Sequence, residues 1–211
     1  MPPLFLPTHT ENQAAMAAYM RNQFDFLGVK APERQLLTRP IKAQSRQLTS
    51  AELSDWLAFY YAQPAREYHY VAIELALANV KRLTPAQYQW CQDQVTVQAW
   101  WDSVDSWRKV LATYIFQHDA LTDLGPAYLS AMAMWQRRLG ITLQLSRKTL
   151  TDTVYLTAAI EMNQADPEFF IQKAIGWALR DYSKTAPEWV TDFLSQHDLS
   201  PLAVREASKY L

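Results

Sequence analysis

Of the 211 residues only one is cysteine and only four are glycine, and no apolar run approaches the length needed to span a membrane. The lone Cys91 excludes an intramolecular disulfide and any cysteine-based metal site, and it fits a reducing, cytoplasmic compartment. Four glycines against eleven prolines, with no sustained alternation of apolar and polar residues, exclude a sheet protein. The histidines His9, His69, His118 and His197 stand far apart, with no acid or cysteine at metal-ligand spacing, so no metal is expected. There is no glycine-rich phosphate loop, no nucleophile elbow and no second cysteine, so no cofactor is expected either. The N-terminus Met1-Pro2-Pro3-Leu4-Phe5-Leu6-Pro7 is too short and too proline-rich for a signal peptide, and no membrane partner is expected.

What is present reads as helix. Start signals recur near Thr10, Pro32, Thr49, Pro64, Thr84, Gln98, Pro126, Thr151, Pro167, Thr185 and Ser200, several with Ser, Thr or Asp followed by Pro or by an acid in the first turn. The class is all-α, with roughly a dozen helices of ordinary length joined by short turns. Leu48-Thr49-Ser50-Ala51-Glu52 and Leu83-Thr84-Pro85-Ala86-Gln87 repeat one helix start 35 residues apart, each followed by a tryptophan within two turns and then by a second helix. Paired helices at that period suggest an α-solenoid with a concave face for an extended partner. The repeat is degenerate, so a compact irregular helical domain is the alternative. No linker or composition shift divides the chain, and residues 1–211 read as a single, monomeric domain.

A net charge of −1 and a pI near 6.4 lack the strongly basic balance of most nucleic-acid binders, but the distribution is uneven. Between Glu33 and Glu52 the charged residues are Arg34, Arg39, Lys42 and Arg46, and between Asp123 and Asp152 they are Arg137, Arg138, Arg147 and Lys148. Stretches without acids imply a locally positive surface; a solvated helix face is the plainer reading of either one.

Two tryptophans stand off the apolar stripes. At roughly 100° per residue Val97, Trp100, Val104, Trp107 and Leu111 share one stripe, which leaves Trp101 and Asp105 together on its flank. Ile171, Ile175, Ala178 and Tyr182 make a second stripe, with Trp177 roughly 130° from its centre, between Lys173 and Arg180. Trp56, Trp90, Trp100, Trp107, Trp135 and Trp189 are assigned to the core or its edge, and Asp102 to a structural role.

With these residues laid out, the chain resembles the AlkD family of alkylpurine DNA glycosylases, built from HEAT-like helical repeats. The resemblance begins at Tyr19-Met20-Arg21-Asn22-Gln23-Phe24 and Leu27-Gly28-Val29-Lys30-Ala31-Pro32-Glu33-Arg34, and continues through Arg66-Glu67-Tyr68-His69-Tyr70. It is most specific at Trp100-Trp101-Asp102-Ser103-Val104-Asp105, at Trp135-Gln136-Arg137-Arg138 and at the run from Phe169 to Lys184. What it implies is hydrolysis of the N-glycosidic bond of N3- and N7-alkylated purines in double-stranded DNA, at the nucleoid when acting. It also implies a catalytic aspartate at Asp105, lesion-facing indoles at Trp101 and Trp177, a phosphate-contacting arginine at Arg138 and a supporting tyrosine at Tyr19. Trp107 and Arg108 depart from the family pattern, as does Leu139-Gly140, where a continuous helix is the family's norm.

The residue types fit that chemistry on their own. An alkylated purine is cationic and already activated to leave, so a carboxylate beside the sugar can stabilise the developing oxocarbenium without a strong general acid. Indole faces attract cations by roughly 0.5–2 kcal/mol. Arg138, Arg147 and Lys148, with Lys173 and Arg180, are the candidate DNA-binding cations. No desolvated lysine is expected beside the Asp105 carboxylate, which points to a monofunctional glycosylase rather than a Schiff-base lyase. A non-catalytic relative that binds bent or branched DNA, and a protein-interaction solenoid, are the alternatives.

Overall fold

Threonine, serine, aspartate and proline mark the points where many of the helices begin. The computed structural model describes residues 2–211, which form thirteen α-helices and no strand, with one isolated bridge between Asp25 and Ala65. Two compact units divide the chain after Gln92.

The first unit holds α1 (Thr10–Tyr19), α2 (Ala31–Ser45), α3 (Ser50–Tyr61), α4 (Arg66–Ala78) and α5 (Pro85–Gln94), whose last two residues pass into the second unit. Helix α4 is its centre and packs against α2 and α3 with Val71, Ala72, Leu75 and Ala76 wholly buried. Buried Glu67 accepts the amides of Leu27, Gly28 and Val29, anchoring the segment between α1 and α2. Gly28 has φ +92°, and a Cβ there would lie 2.1 Å from the carbonyl oxygen of His9, so only glycine fits.

The 35-residue repeat appears as two capping boxes. Thr49 and Glu52 cap α3 reciprocally. At α5 the amide of Thr84 donates to Gln87 Oε1 (3.0 Å), and the amide of Gln87 donates to Thr84 Oγ1 (3.2 Å). The same Gln87 side chain donates through Nε2 to Ser50 O (2.9 Å) and Ser54 Oγ (3.0 Å), so the second box touches the first.

The second unit holds α6 (Trp101–Gln117), α7 (Leu121–Leu124), α8 (Pro126–Leu129), α9 (Met134–Ile141), α10 (Thr153–Glu161), α11 (Phe169–Ser183), α12 (Pro187–Gln196) and α13 (Pro201–Ala207). Helix α11 is the hub, packing on α9, α12 and α13. Gly176 permits its close approach to α13, since a Cβ there would meet Glu206 Cβ at 2.5 Å and Ala203 O at 2.8 Å. Helix α9 runs unbroken through Gly140, the smooth side of which lies against Tyr128. No helix among the described residues is long and apolar enough to cross a membrane.

Candidate active site

Helix α6 sets the geometry. Gln98 has φ +50°, and the helix begins at Trp101, with the Ser103 hydroxyl reaching back to the Trp100 backbone. Val97 and Trp100 therefore lie outside the helix, and Val97 is exposed; the buried stripe runs instead through Val104, Trp107, Leu111 and Ile115. Trp101 and Asp105 stand one turn apart on its flank, both half-buried, whereas Asp102 is buried.

Arg138 on α9 meets Asp105 with both edges of its fork. Nε donates to Oδ1 (3.0 Å) and Nη2 to Oδ2 (2.8 Å), while Nη1 donates to the Phe170 carbonyl (2.9 Å) at the start of α11. Two parallel charge-assisted bonds fix the plane of the carboxylate as well as its position. The Arg138 side chain is only 6% exposed against 20% for Asp105, so the outward face of the pair is carboxylate. Three of the five Arg138 N–H groups are committed inside the protein, and two remain.

An aromatic wall adjoins the pair. Phe170 packs edge-on against Trp100 (5.2 Å between ring centroids) and tilted against Trp135 (4.9 Å), and its ring and that of Trp177 lie 5.8 and 5.9 Å from the Arg138 guanidinium carbon. Trp177 is half-buried, as Trp101 is. Trp100 and Trp135, assigned to the core or its edge, belong to this wall and keep partly exposed faces. Phe170 was missed; its only signal is the pair of phenylalanines opening α11.

The other predicted cations fall into two kinds. Lys173 and Arg180, on either side of Trp177, both pair with Glu206 of α13 (3.0 and 2.8 Å), which also takes Lys209 (2.9 Å). Neither points out alone as a ready phosphate ligand, and the reason is an acid from another helix; the cluster nevertheless has three cations for one carboxylate. Hydrogen bonds from Lys209 and Lys173 lower the Glu206 carboxyl to about 2. Arg137 is structural, donating to the carbonyls of Ala131 and Met132 and to Asp166. Arg147 and Lys148, in contrast, have no carboxylate partner among the ion pairs of the described residues, and Lys148 is exposed. In the first unit Arg34 and Lys42 share Glu74, which neutralises much of the earlier basic stretch. Tyr19 ends α1 in that unit, 71% exposed, ahead of Arg21 and Asn22 in left-handed conformation.

Fold and site together define an all-helical repeat protein with an arginine-locked carboxylate among aromatics. The family described as DNA alkylation repair enzyme matches residues 8–211, and the chain belongs to that family. A solved structure described as a predicted DNA alkylation repair enzyme from Enterococcus faecalis is 42% identical over 99% of each chain, with a TM-score of 0.96. AlkD2 from Streptococcus mutans (15% identity, TM-score 0.70, 94% of this chain and 99% of that one) and smu.31 from Streptococcus mutans UA159 (16%, 0.66, 84% and 97%) share the fold, which is that of HEAT-like repeats. No curated protein matches the chain.

Proposed function

We propose that this chain is a monofunctional DNA glycosylase that hydrolyses the N-glycosidic bond of cationic N3- and N7-alkylated purines in duplex DNA. The observation that carries the reading is the Asp105 carboxylate, held in one orientation by Arg138, itself anchored on Phe170 O, beside the half-buried indoles of Trp101 and Trp177. A carboxylate offers about four lone-pair positions, and Arg138 occupies two, which leaves two for the sugar or a water. As the C1′–N bond breaks, its electron pair neutralises the alkylated base, and Asp105 faces the positive charge that develops on the sugar. Water then bonds to C1′, and its proton passes to Asp105 or solvent. Trp101 and Trp177 are positioned by this reading to cradle the cationic nucleotide and exclude water. Arg147 and Lys148, the cationic cluster of Lys173 and Arg180, the two spare donors of Arg138, and Tyr19 are assigned to the DNA backbone.

The test is release of free base from duplexes containing one lesion each. 7-Methylguanine and 3-methyladenine should be released, whereas the neutral hypoxanthine and 1,N6-ethenoadenine should be retained, because their departure needs an acid that the site does not supply. Tight, salt-sensitive DNA binding with no release of either cationic base would sink the enzyme reading and favour a non-catalytic DNA-binding relative.

A further inference from the structure

Beyond Asp105 the same flank of α6 leads into a basin of about 480 Å³, lined by Arg108, Lys109, Phe116 and Arg147 among others and by no acidic side chain. Arg108 lies one turn past Asp105, and Phe116 a little over two turns further. Elsewhere in this unit three arginines are spent on acids: Arg137 on Asp166, Arg138 on Asp105 and Arg180 on Glu206. In the basin the buried Nε–H groups of both Arg108 and Arg147 lack an acceptor among the described residues. Among the described residues no carboxylate pairs with either guanidinium, so their terminal donors are left for the oxygens of a ligand in the opening.

The backbone around Arg147 carries the same message. Ser146 (φ +69°) and Lys148 (φ +54°) bracket it in left-handed conformation, an arrangement that neither side chain favours. Asp181 pins the turn by accepting the Ser146 amide (2.6 Å). The result sets the Arg147 guanidinium carbon over the Phe116 ring, 3.9 Å from its centroid, a cation–π contact that holds the fork beside the basin. Burial lowers the Arg108 pKa against the opposing pull of Asp105 and Asp181, the two acids that face it, and both already hold other partners.

We propose that this basin is a phosphate site, in which Arg108 and Arg147, with Lys109 at its rim, receive backbone phosphodiesters of duplex DNA flanking the nucleotide at Asp105. The assignment rests on the DNA-repair reading above and deepens it. Three residues of helix advance about 4.5 Å, less than an extended arginine reaches, so a group held by Arg108 lies close to the sugar at Asp105. Arginine suits the task because its fork meets two phosphate oxygens at once.

The experiment measures affinity for unmodified duplex against salt for the wild type, Arg108→Gln, Arg147→Gln and the double variant. Each single change should flatten the slope of log affinity against log salt by about one, and the double change by about two, whatever the DNA sequence. Arg108→Lys keeps the charge and should keep the slope; if Arg108→Gln fails to fold, Lys109→Gln combined with Arg147→Gln replaces it, and an unchanged slope in that pair overturns the proposal. An unchanged slope in the double variant overturns the proposal. Thermal melts with inorganic phosphate and with a deoxynucleoside monophosphate form the second arm. Stabilisation by either that the variants abolish, with an unchanged duplex slope, would assign the basin to a free phosphate and overturn the DNA assignment. Base excision is not needed for these readouts: flattened slopes without 7-methylguanine release leave the site and remove the enzyme, and release with unchanged slopes does the reverse.

Discussion

Asp105 and Arg138 should behave as one unit in both stability and catalysis, and a double-mutant cycle tests it. Asp105→Asn keeps the shape, but one carboxylate oxygen becomes an NH₂ that faces an arginine donor at about 3 Å. Arg138→Gln removes both bonds to Asp105 and the donor to Phe170 O. Breaking a buried pair from one side costs about 3–5 kcal/mol, because it strands the other partner, and at about 2–4 °C per kcal/mol each single variant should melt about 6–20 °C below the wild type. The double variant strands no charge, so its loss should fall short of the sum by about 2 kcal/mol in denaturant titrations. In single-turnover assays Asp105→Asn should slow release of 7-methylguanine on the order of 100- to 1000-fold, with DNA affinity largely kept, and Arg138→Gln should slow it through misplacement of the carboxylate. Additive stability losses within 0.5 kcal/mol, or wild-type rates for Asp105→Asn, would refute the coupling and the catalytic assignment respectively.

Trp101→Ala and Trp177→Ala should each slow release of cationic bases by a factor of about 2–30, the equivalent of the roughly 0.5–2 kcal/mol of a cation–π contact, and a wild-type rate in single-turnover assays would remove that indole from the site. The lowered Glu206 carboxyl contributes stability at pH values above the ordinary glutamate range, and that contribution is lost as pH falls toward about 2. Acid unfolding should therefore be shallower in Glu206→Gln than in the wild type; parallel curves would count against the cluster. Burial pushes the Cys91 thiol up to about 12, so a thiol reagent should label it only as the protein unfolds.

Much of the fold was legible because caps and prolines are local signals: Thr49, Thr84, Asp152 and Ser200 each cap the helix that follows. Helix α9 was not, since it starts after Ala133 with no side-chain cap, and the preceding loop is held through space by Arg137. The flank position of Trp101 and Asp105 followed from helical periodicity, which also drew Val97 and Trp100 into a stripe that the left-handed Gln98 interrupts. What spacing could not convey was pairing between helices. Arg138 finds Asp105 33 residues away, and Arg180 finds Glu206 26 residues away, so cations read as outward-facing turned inward. Arg108, noted only as a departure from the family pattern, gained its meaning from an Arg147 brought beside it by a turn.

The choice of glutamine at position 87, where the matching position 52 has glutamate, separates two repeats that otherwise start alike. A carboxylate can only accept, so Glu52 closes its own cap and has nothing to give a neighbour. An amide has two unlike ends: Gln87 spends the oxygen on its own helix and the nitrogen on Ser50 and Ser54 of α3, which opens the preceding repeat. One side chain thus serves as both the first stitch of a helix and the seam to the repeat before it. A single-atom exchange, Gln87→Glu, would leave the stitch in place and open the seam, turning the alignment of successive repeats into a property that can be edited without touching the apolar core.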